Sequence, residues 1–260
     1  MNRYQRIIER VFLDRYHPGD VEVPFVRQDL IDVAQHLGVT VPRNLGDILY
    51  AFRYRTELPE SITSTAPAGM EWTIHGTGQA AYKFGLVTVN RIVPNPALMT
   101  IKIPDATPEI VSAHAMSDEQ ALLAKIRYNR LLDVFLGVSA YSLQSHLRTT
   151  VKSIGQIEVD EIYVAVDSTG RQFVMPVQAK GGSDQLSVVQ SEQDLLWCRE
   201  RLPNLICRPV LTQFAEGDLI AMFEVTLDDD EIKVVQEKHY RLVPASEVTP
   251  EDLSRYRNST

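Results

Sequence analysis

Two apolar stretches separated by a short polar turn constrain the fold of this chain more than any other feature. Residues 157–164 and 173–180 each have the length and composition of a β-strand, and residues 167–170 between them have the composition of a turn. A helical pattern follows over about 184–202. Three further strands are predicted, at 205–214, 219–226 and 232–242, with an acidic turn at 228–231. This order predicts an α/β domain with a mixed sheet flanked by helices.

The first strand pair carries polar side chains at regular positions. Side chains alternate across a strand, so Asp160 shares a face with Glu158, and Gln178 shares a face with Lys180. If the turn centres on Thr169, Asp160 lies opposite Gln178, at a separation of roughly 5 Å. A carboxylate, an amide oxygen and an ammonium group would then face a common point.

This arrangement suits a divalent metal. Mg²⁺ takes hard oxygen ligands and keeps several waters, so one or two protein oxygens suffice. We predict that Asp160 and Gln178 are metal ligands, with Mn²⁺ able to replace Mg²⁺. Lys180 would stand near a bound phosphate, where it could orient a water or stabilise the charge of the transition state. Both roles for Lys180 remain open.

Three further polar residues are candidates for the same site. Glu119 lies on a helix predicted over 117–136 and points along its buried stripe, either as a metal ligand or as an acid favoured by the helix dipole. Glu158 is a candidate ligand or a neighbour of the ligands. Gln190, on the helix after Lys180, could brace the site or contact a nucleic-acid backbone.

The N-terminal third is organised differently. Helical patterns lie at 1–16, 27–38 and 44–55, and the last two, joined by a tight turn at Gly38, form a helix-turn-helix pattern. Strand patterns at 72–75 and 80–84 flank Gly76-Thr-Gly78, which is a hairpin signal. These elements predict a winged-helix-like DNA-recognition domain at 1–105. Prolines between positions 94 and 108 mark the boundary, and residues 106–260 form the second domain.

Basic and amide side chains provide candidate DNA contacts. In a helix-turn-helix the second helix enters the major groove. The predicted contacts on that helix are Arg43, Asn44, Arg53 and Arg55. Asn44 could instead cap the helix, and the arginines could be surface residues. The candidates in the second domain are Arg127, Arg130, Arg148 and Gln190.

Asp160, Gln178 and Lys180, within the order helix, strand, strand, helix, strand, resemble the PD-(D/E)xK nuclease superfamily. Their Asp…Gln-x-Lys variant is similar to that of Mrr-type restriction endonucleases, and the resemblance is strongest over 155–195. It implies an Mg²⁺-dependent endodeoxyribonuclease of the restriction-modification type, leaving 5′-phosphate and 3′-hydroxyl ends. The implied catalytic residues are Asp160, Gln178, Lys180 and Glu119. The implied metal-site residues are Asp160, Gln178, Glu119 and Glu158.

Gln178 occupies a position where an acid is usual in that superfamily. This favours an alternative, in which the chain is a non-catalytic DNA-binding protein with a degenerate nuclease fold. Under the nuclease interpretation the substrate is double-stranded DNA. Cutting both strands predicts a homodimer, by symmetry with the duplex.

The composition restricts these hypotheses. The chain has 260 residues and a net charge of −8, and residues 161–260 hold ten basic and seventeen acidic side chains, so any DNA contact must be a local basic patch. No apolar run approaches the roughly eighteen residues of a membrane span, so no membrane association is expected. The two cysteines, Cys198 and Cys207, lack metal-like spacing and predict a reducing cytoplasm, which we take to be prokaryotic.

Overall fold

The chain forms two compact units. The computed structural model describes residues 2–40, 45, 48–49, 52, 56–88, 92–114, 119–152, 154–181, 186, 188–228 and 231–258. The first unit comprises Met1–Asn90 and Thr150–Ile157, and the second comprises Arg91–Thr149 and Glu158–Thr260. The boundary expected between residues 105 and 106 lies inside the second of these units. Because Thr150–Ile157 belongs to the first unit, neither unit is one continuous segment of chain.

The first unit combines helices with a small antiparallel sheet. Helix α1 begins after Asn2, whose side chain accepts the main-chain N–H groups of Tyr4 and Gln5, while the side chain of Gln5 accepts the N–H of Asn2. The three strands are ordered β1-β3-β2. The elements are α1 (Arg3–Leu13), β1 (Glu22–Val26), α2 (Arg27–His36), α3 (Glu60–Thr63), β2 (Met70–Gly78) and β3 (Ala81–Thr88).

An aromatic and aliphatic core holds this unit together. The ring of Phe12 lies 5.1 Å from that of Trp72 and 5.1 Å from that of Phe84, both edge-on. Helix α1 buries its apolar stripe, as its 3.6-residue period predicts. Of the second helix predicted at 44–55, residues 45, 48, 49 and 52 are described and buried. Leu45 lies in a turn, whereas Ile48, Leu49 and Phe52 are helical.

The hairpin predicted around Gly76 and Gly78 is present, but its turn lies two residues later. Both glycines belong to β2, and the turn occupies Gln79 and Ala80, which adopts a φ of 56°. Gly76 has a different role. A Cβ atom there would lie 1.6 Å from the carbonyl oxygen of Ile154, so this close approach of two backbones requires glycine.

The second unit is built on a large mixed sheet, which confirms the predicted mixed α/β class. The strand order is β4-β11-β10-β9-β7-β6-β5, with β8 paired to β7. Strands β7 and β9 are parallel, whereas β6 and β7 are antiparallel. The strands are β4 (Thr100–Pro104), β5 (Ser139–Val151), β6 (Gly155–Val166), β7 (Gln172–Lys180), β8 (Ile206–Cys207), β9 (Val210–Ala215), β10 (Leu219–Asp228) and β11 (Glu231–Val243).

Helices cover both faces of this sheet. The helices are α4 (Glu109–His114), α5 (Glu119–Tyr128), α6 (Leu131–Leu136), α7 (Val188–Arg201) and α8 (Pro250–Asn258). Helices α5 and α6 pack on a cluster that includes Met175 and Val177, whereas α7 contributes Leu195 to a second cluster with Leu211 and Phe223. The candidate site residues of β6 and β7 therefore lie in the middle layer. None of the helices among the described residues is long and apolar enough to cross a membrane.

Two predicted elements are each split in the structure. The helix expected over 117–136 is α5 followed by α6, because Arg130 adopts left-handed backbone angles of φ 50° and ψ 40° between them. The strand expected over 205–214 is β8 followed by β9, and Pro209, which has no N–H to donate, lies in the gap. Asp228 and Glu231, at the two ends of the acidic turn expected at 228–231, pair across β10 and β11, and residues 229 and 230 lie outside the described residues.

Candidate functional site

Strands β6 and β7 pair in the register that the sequence predicts. The ladder runs from Val166 opposite Gln172 to Glu161 opposite Val177, which centres it on Thr169. Asp160 and Gln178 are the next positions along this register. At this position the Asp160 side chain takes the place of a main-chain partner, and its Oδ2 accepts the N–H of Ala179 at 2.9 Å. This bond fixes the Asp160 carboxylate beside the end of β7.

The side chain of Gln178 is 2% exposed and points towards α7. Its Nε2 donates to Asp194 Oδ2 at 2.9 Å and, over a longer distance of 3.4 Å, to the main-chain oxygen of Glu158. Among the described residues, Gln178 Oε1 is buried without a hydrogen-bond partner. A buried acceptor without a donor is costly unless a water or a cation satisfies it.

Lys180 reaches the start of α5. Its Nζ lies 3.1 Å from Glu119 Oε1, and the lysine side chain is only 13% exposed. The buried stripe of α5, which includes Leu122 and Ile126, packs against the sheet and brings Glu119 to this position. Glu119, predicted as a metal ligand, therefore lies at the site and contacts the predicted catalytic lysine.

Glu158 lies two residues before Asp160 and forms an ion pair with Arg148 of β5. Arg148 Nε lies 3.2 Å from Glu158 Oε1, and the arginine side chain is 69% exposed. Arg148, one of the predicted DNA contacts in this unit, thus contacts a residue of the site directly. A phosphate group approaching the site could therefore meet its guanidinium group.

Asp194 is a site residue that sequence reasoning missed. It lies on α7, is 1% exposed, and accepts Gln178 Nε2. Its Oδ1 is buried without a partner in the described part of the chain. One signal could have identified it, because Asp194 is four residues after Gln190 and so shares its helix face. Together, Glu119, Glu158, Asp160, Gln178, Lys180 and Asp194 form what we call the Asp160 cluster.

The Asp160 cluster disfavours charge on its buried acids. Burial raises the pKa of Asp160, the N–H of Ala179 and the charge of Lys180 lower it, and the charges of Glu119 and Glu158 raise it again. Burial also holds the pKa of Asp194 well above its ordinary value, with the hydrogen bond from Gln178 opposing this and the charge of Asp160 adding to it. The site therefore concentrates acids where a cation would relieve their repulsion.

Two predicted contact residues lie in other ion pairs. Glu161 points away from Asp160 across β6, and its carboxylate is bound by Arg127. Its Oε2 accepts the Tyr163 hydroxyl at 2.6 Å, and its Oε1 accepts the Ser145 hydroxyl at 3.2 Å. We call Arg127, Ser145, Glu161 and Tyr163 the Glu161 cluster. Arg130 pairs with Asp133 at the surface.

The remaining predicted residues are less informative. Gln190 is buried on α7, which favours bracing of the site over contact with a DNA backbone. Arg43, Asn44, Arg53 and Arg55 lie outside the described residues. Their predicted contacts with the major groove therefore stay predictions.

Comparisons with known proteins found no match to this chain. No protein-family model matches the chain, and neither a curated protein nor a solved structure matches it.

The donor set fits one kind of metal ion. Within the described ranges, no group of three or more His, Cys, Asp or Glu side chains could hold a metal ion. The Asp160 carboxylate and the partnerless Oε1 of Gln178 are hard oxygen donors in one cluster. They fit an ion such as Mg²⁺, which binds through one or two protein oxygens and keeps several waters.

Proposed function

We propose that this protein is a metal-dependent DNA endonuclease of the restriction type. The observation that carries the proposal is the buried Oε1 of Gln178, which has no hydrogen-bond partner in the described part of the chain and lies in one cluster with the Asp160 carboxylate and the Lys180 ammonium. These are the three groups of the Asp…Gln-x-Lys pattern. Their juxtaposition supports membership of the PD-(D/E)xK superfamily, as do the mixed sheet and the helices on both of its faces.

Asp160 and Gln178 would hold the ion, with Glu119 or Glu158 adding a carboxylate. When bound, the ion polarises the phosphate and makes a water more acidic. The chain's own groups supply the rest. The N–H of Ala179 fixes Asp160, and Glu119 holds the Lys180 ammonium at 3.1 Å. Lys180 either orients the attacking water or stabilises negative charge on the transition state.

In the reaction, a water oxygen forms a bond to phosphorus and the bond from phosphorus to the 3′ oxygen breaks. The 3′ oxygen takes up a proton, so the products carry 5′-phosphate and 3′-hydroxyl ends. Exposed Arg148, beside Glu158, is placed to bind the phosphate chain. No side chain is consumed in this hydrolysis.

The first unit supports the DNA part of the proposal. Its order of helix, strand, helix and hairpin, with strands arranged β1-β3-β2, suits a winged-helix domain. We infer that the helix containing Ile48 and Phe52 reads duplex DNA, with contacts from Arg43, Asn44, Arg53 and Arg55. A homodimer would cut both strands. We place this activity in a prokaryotic cytoplasm.

The proposal is tested with supercoiled plasmid, purified full-length protein and Mg²⁺. We expect the wild type to nick or linearise the plasmid, and EDTA to stop it. Asp160→Ala and Lys180→Ala should lack activity, whereas Asp228→Ala, which removes an exposed acid from β10, should cleave like the wild type. The proposal is wrong if the wild type fails with both Mg²⁺ and Mn²⁺, or if all three variants cleave equally.

A second candidate is a DNA-binding protein that does not cut. It is favoured by the amide at position 178, where an acid is usual, and by the contact that holds Lys180 against Glu119. This version predicts DNA binding that weakens steeply with salt, without cleavage under either metal. The same plasmid experiment, combined with a binding titration, separates the two candidates.

A further inference from the structure

The orientation of the Gln178 amide is fixed by what surrounds it. An amide has a donor end and an acceptor end, and they are told apart by their hydrogen-bond partners. Nε2 contacts Asp194 Oδ2 at 2.9 Å and the main-chain oxygen of Glu158 at 3.4 Å. A main-chain carbonyl can only accept, so the nitrogen end faces these two groups whatever proton Asp194 carries. Oε1 must therefore point away from them.

The main chain at Gln178 is fixed as well. Its carbonyl accepts the Thr212 hydroxyl at 3.0 Å, and Gln178 pairs with Leu211 across β7 and β9. The position of the Gln178 amide therefore depends only on the torsions of its side chain. Asp194 can set them, because it lies on a helix whose neighbouring residues Leu195 and Trp197 are buried.

The contact between Gln178 and Asp194 explains why position 178 carries an amide, although an acid is common there. A carboxylate at position 178 would face the acceptors of Asp194 and Glu158 with no hydrogen to donate. It would also place a second carboxylate against Asp194, at the 2.9 Å distance that the hydrogen bond now occupies. The amide removes both conflicts and still offers one oxygen.

We propose that Asp194 is a positioning residue, which holds the Gln178 amide so that its carbonyl oxygen is presented to the divalent cation. This inference rests on the proposed metal-dependent function. Asp194 does not contact the cation in this role, and it acts through the orientation of Gln178. Groups that orient a metal ligand typically change metal affinity by about 10- to 100-fold when they are removed.

The test measures Mn²⁺ binding by calorimetry, on full-length protein without DNA. Asp194→Leu removes the acceptor and should weaken Mn²⁺ binding by about 10- to 100-fold. Asp194→Asn keeps a side-chain oxygen that can accept Gln178 Nε2, so its affinity should stay within about threefold of the wild type. Circular dichroism establishes that both variants are folded. Unchanged affinity in folded Asp194→Leu overturns the inference, and so does an equal loss in both variants.

A second pair of variants keeps the idea testable if Asp194→Leu does not fold. In the Gln178→Glu background, Asp194→Asn supplies an N–H donor to the new carboxylate and should raise Mn²⁺ affinity about tenfold. In the wild-type background, the same substitution should leave affinity nearly unchanged. Equal effects of Asp194→Asn in the two backgrounds overturn the positioning role, because they show that the two side chains act independently.

These outcomes separate the inference from the proposed function. If the wild type binds no Mn²⁺, both are wrong. If it binds Mn²⁺ with the expected dependence on Asp194 but cuts no DNA, the nuclease proposal fails and the positioning role stands. If it cuts DNA and Asp194→Leu binds Mn²⁺ as the wild type does, only the positioning role fails.

Discussion

Asp160 and Glu161 are adjacent acids on one strand, and the structure treats them in opposite ways. Glu161 is 1% exposed, and Tyr163, Ser145 and Arg127 all donate to its carboxylate. Asp160 accepts one main-chain N–H, and two of the charges around it, those of Glu119 and Glu158, have its own sign. The Glu161 carboxylate is saturated with donors, whereas among the described residues the Asp160 carboxylate accepts a single hydrogen bond.

This is the difference that we expect between an acid that stabilises the fold and an acid that binds a cation. A buried charge that only stabilises a fold must be fully paired, because leaving it unpaired costs several kcal/mol. An acid that binds a cation must keep oxygen atoms available for it. Without the cation, the charge of that acid is repelled by the acids beside it. Strand alternation places the two acids on opposite faces of β6. The groups that face each acid then give the two carboxylates their different surroundings.

The largest effect should be on cleavage. Asp160→Ala should lower the rate of plasmid cutting by at least about a thousandfold, because a metal ion supplies several kcal/mol of transition-state stabilisation. Glu161→Gln should keep the rate within about tenfold of the wild type, compared at equal amounts of folded protein. A folded Glu161→Gln variant as inactive as Asp160→Ala would remove the distinction between the two clusters.

The next effect should be on stability. Arg127→Ala leaves Glu161 buried without its cation and should lower the free energy of unfolding in urea by about 3 kcal/mol. Arg130→Ala is the matched control, because its ion pair with Asp133 is at the surface and its side chain is 62% exposed. The control should lose less than about 1 kcal/mol. Similar losses in the two variants would argue against a structural role for the Glu161 cluster.

A smaller effect, this time an increase in stability, is expected when Asp160 is replaced in metal-free protein. Burial and its acidic neighbours raise the pKa of Asp160 above 3.8, so its ionisation costs stability as the pH rises past that value. Asp160→Asn keeps an oxygen for the N–H of Ala179. It should raise the melting temperature at pH 7 by about 2–4 °C, equivalent to roughly 1 kcal/mol. A lower melting temperature would place Asp160 with the structural acids.

The smallest effect is expected at Asp252, an acid saturated with donors near the end of the chain. Lys102 and Thr249 lower its pKa from 3.8 to about 2. A lowered pKa means that the charged form stabilises the fold above about pH 4, and that this contribution is lost as the pH falls through about 2. The melting temperatures of the wild type and Asp252→Asn should therefore converge on acidification. A constant difference from pH 6 to pH 2 would contradict this.

Local patterns were sufficient for much of the site. The turn at Thr169 and the two-residue period of strands predict the register that places Asp160 opposite Gln178, next to the pair of Glu161 and Val177. The apolar stripe of α5 predicts that Glu119 faces inwards, where it contacts Lys180. Each of these inferences uses residues that are close in sequence or the side-chain period of a single element. Neither depends on how distant segments pack together.

Other features depend on contacts between distant segments. Asp194 was missed because its partner, Gln178, is on another element, and only packing of α7 on the sheet joins them. Strand β5 was missed because it buries little, with Val151 as its one fully buried residue. The break at Arg130 was missed because left-handed backbone angles are unusual for arginine.

The position of β7 has a consequence for protein synthesis. The strand pairs with β6, which precedes it, and with β9, which follows only after α7 has crossed over. Thr212 of β9 donates to the carbonyl of Gln178, and Asp194 belongs to the crossing helix. A nascent polypeptide that ends just before β9 therefore contains Asp194 but lacks the strand and the Thr212 hydroxyl that hold the main chain of Gln178. The Asp160 cluster can thus be completed only after the ribosome has synthesised β9.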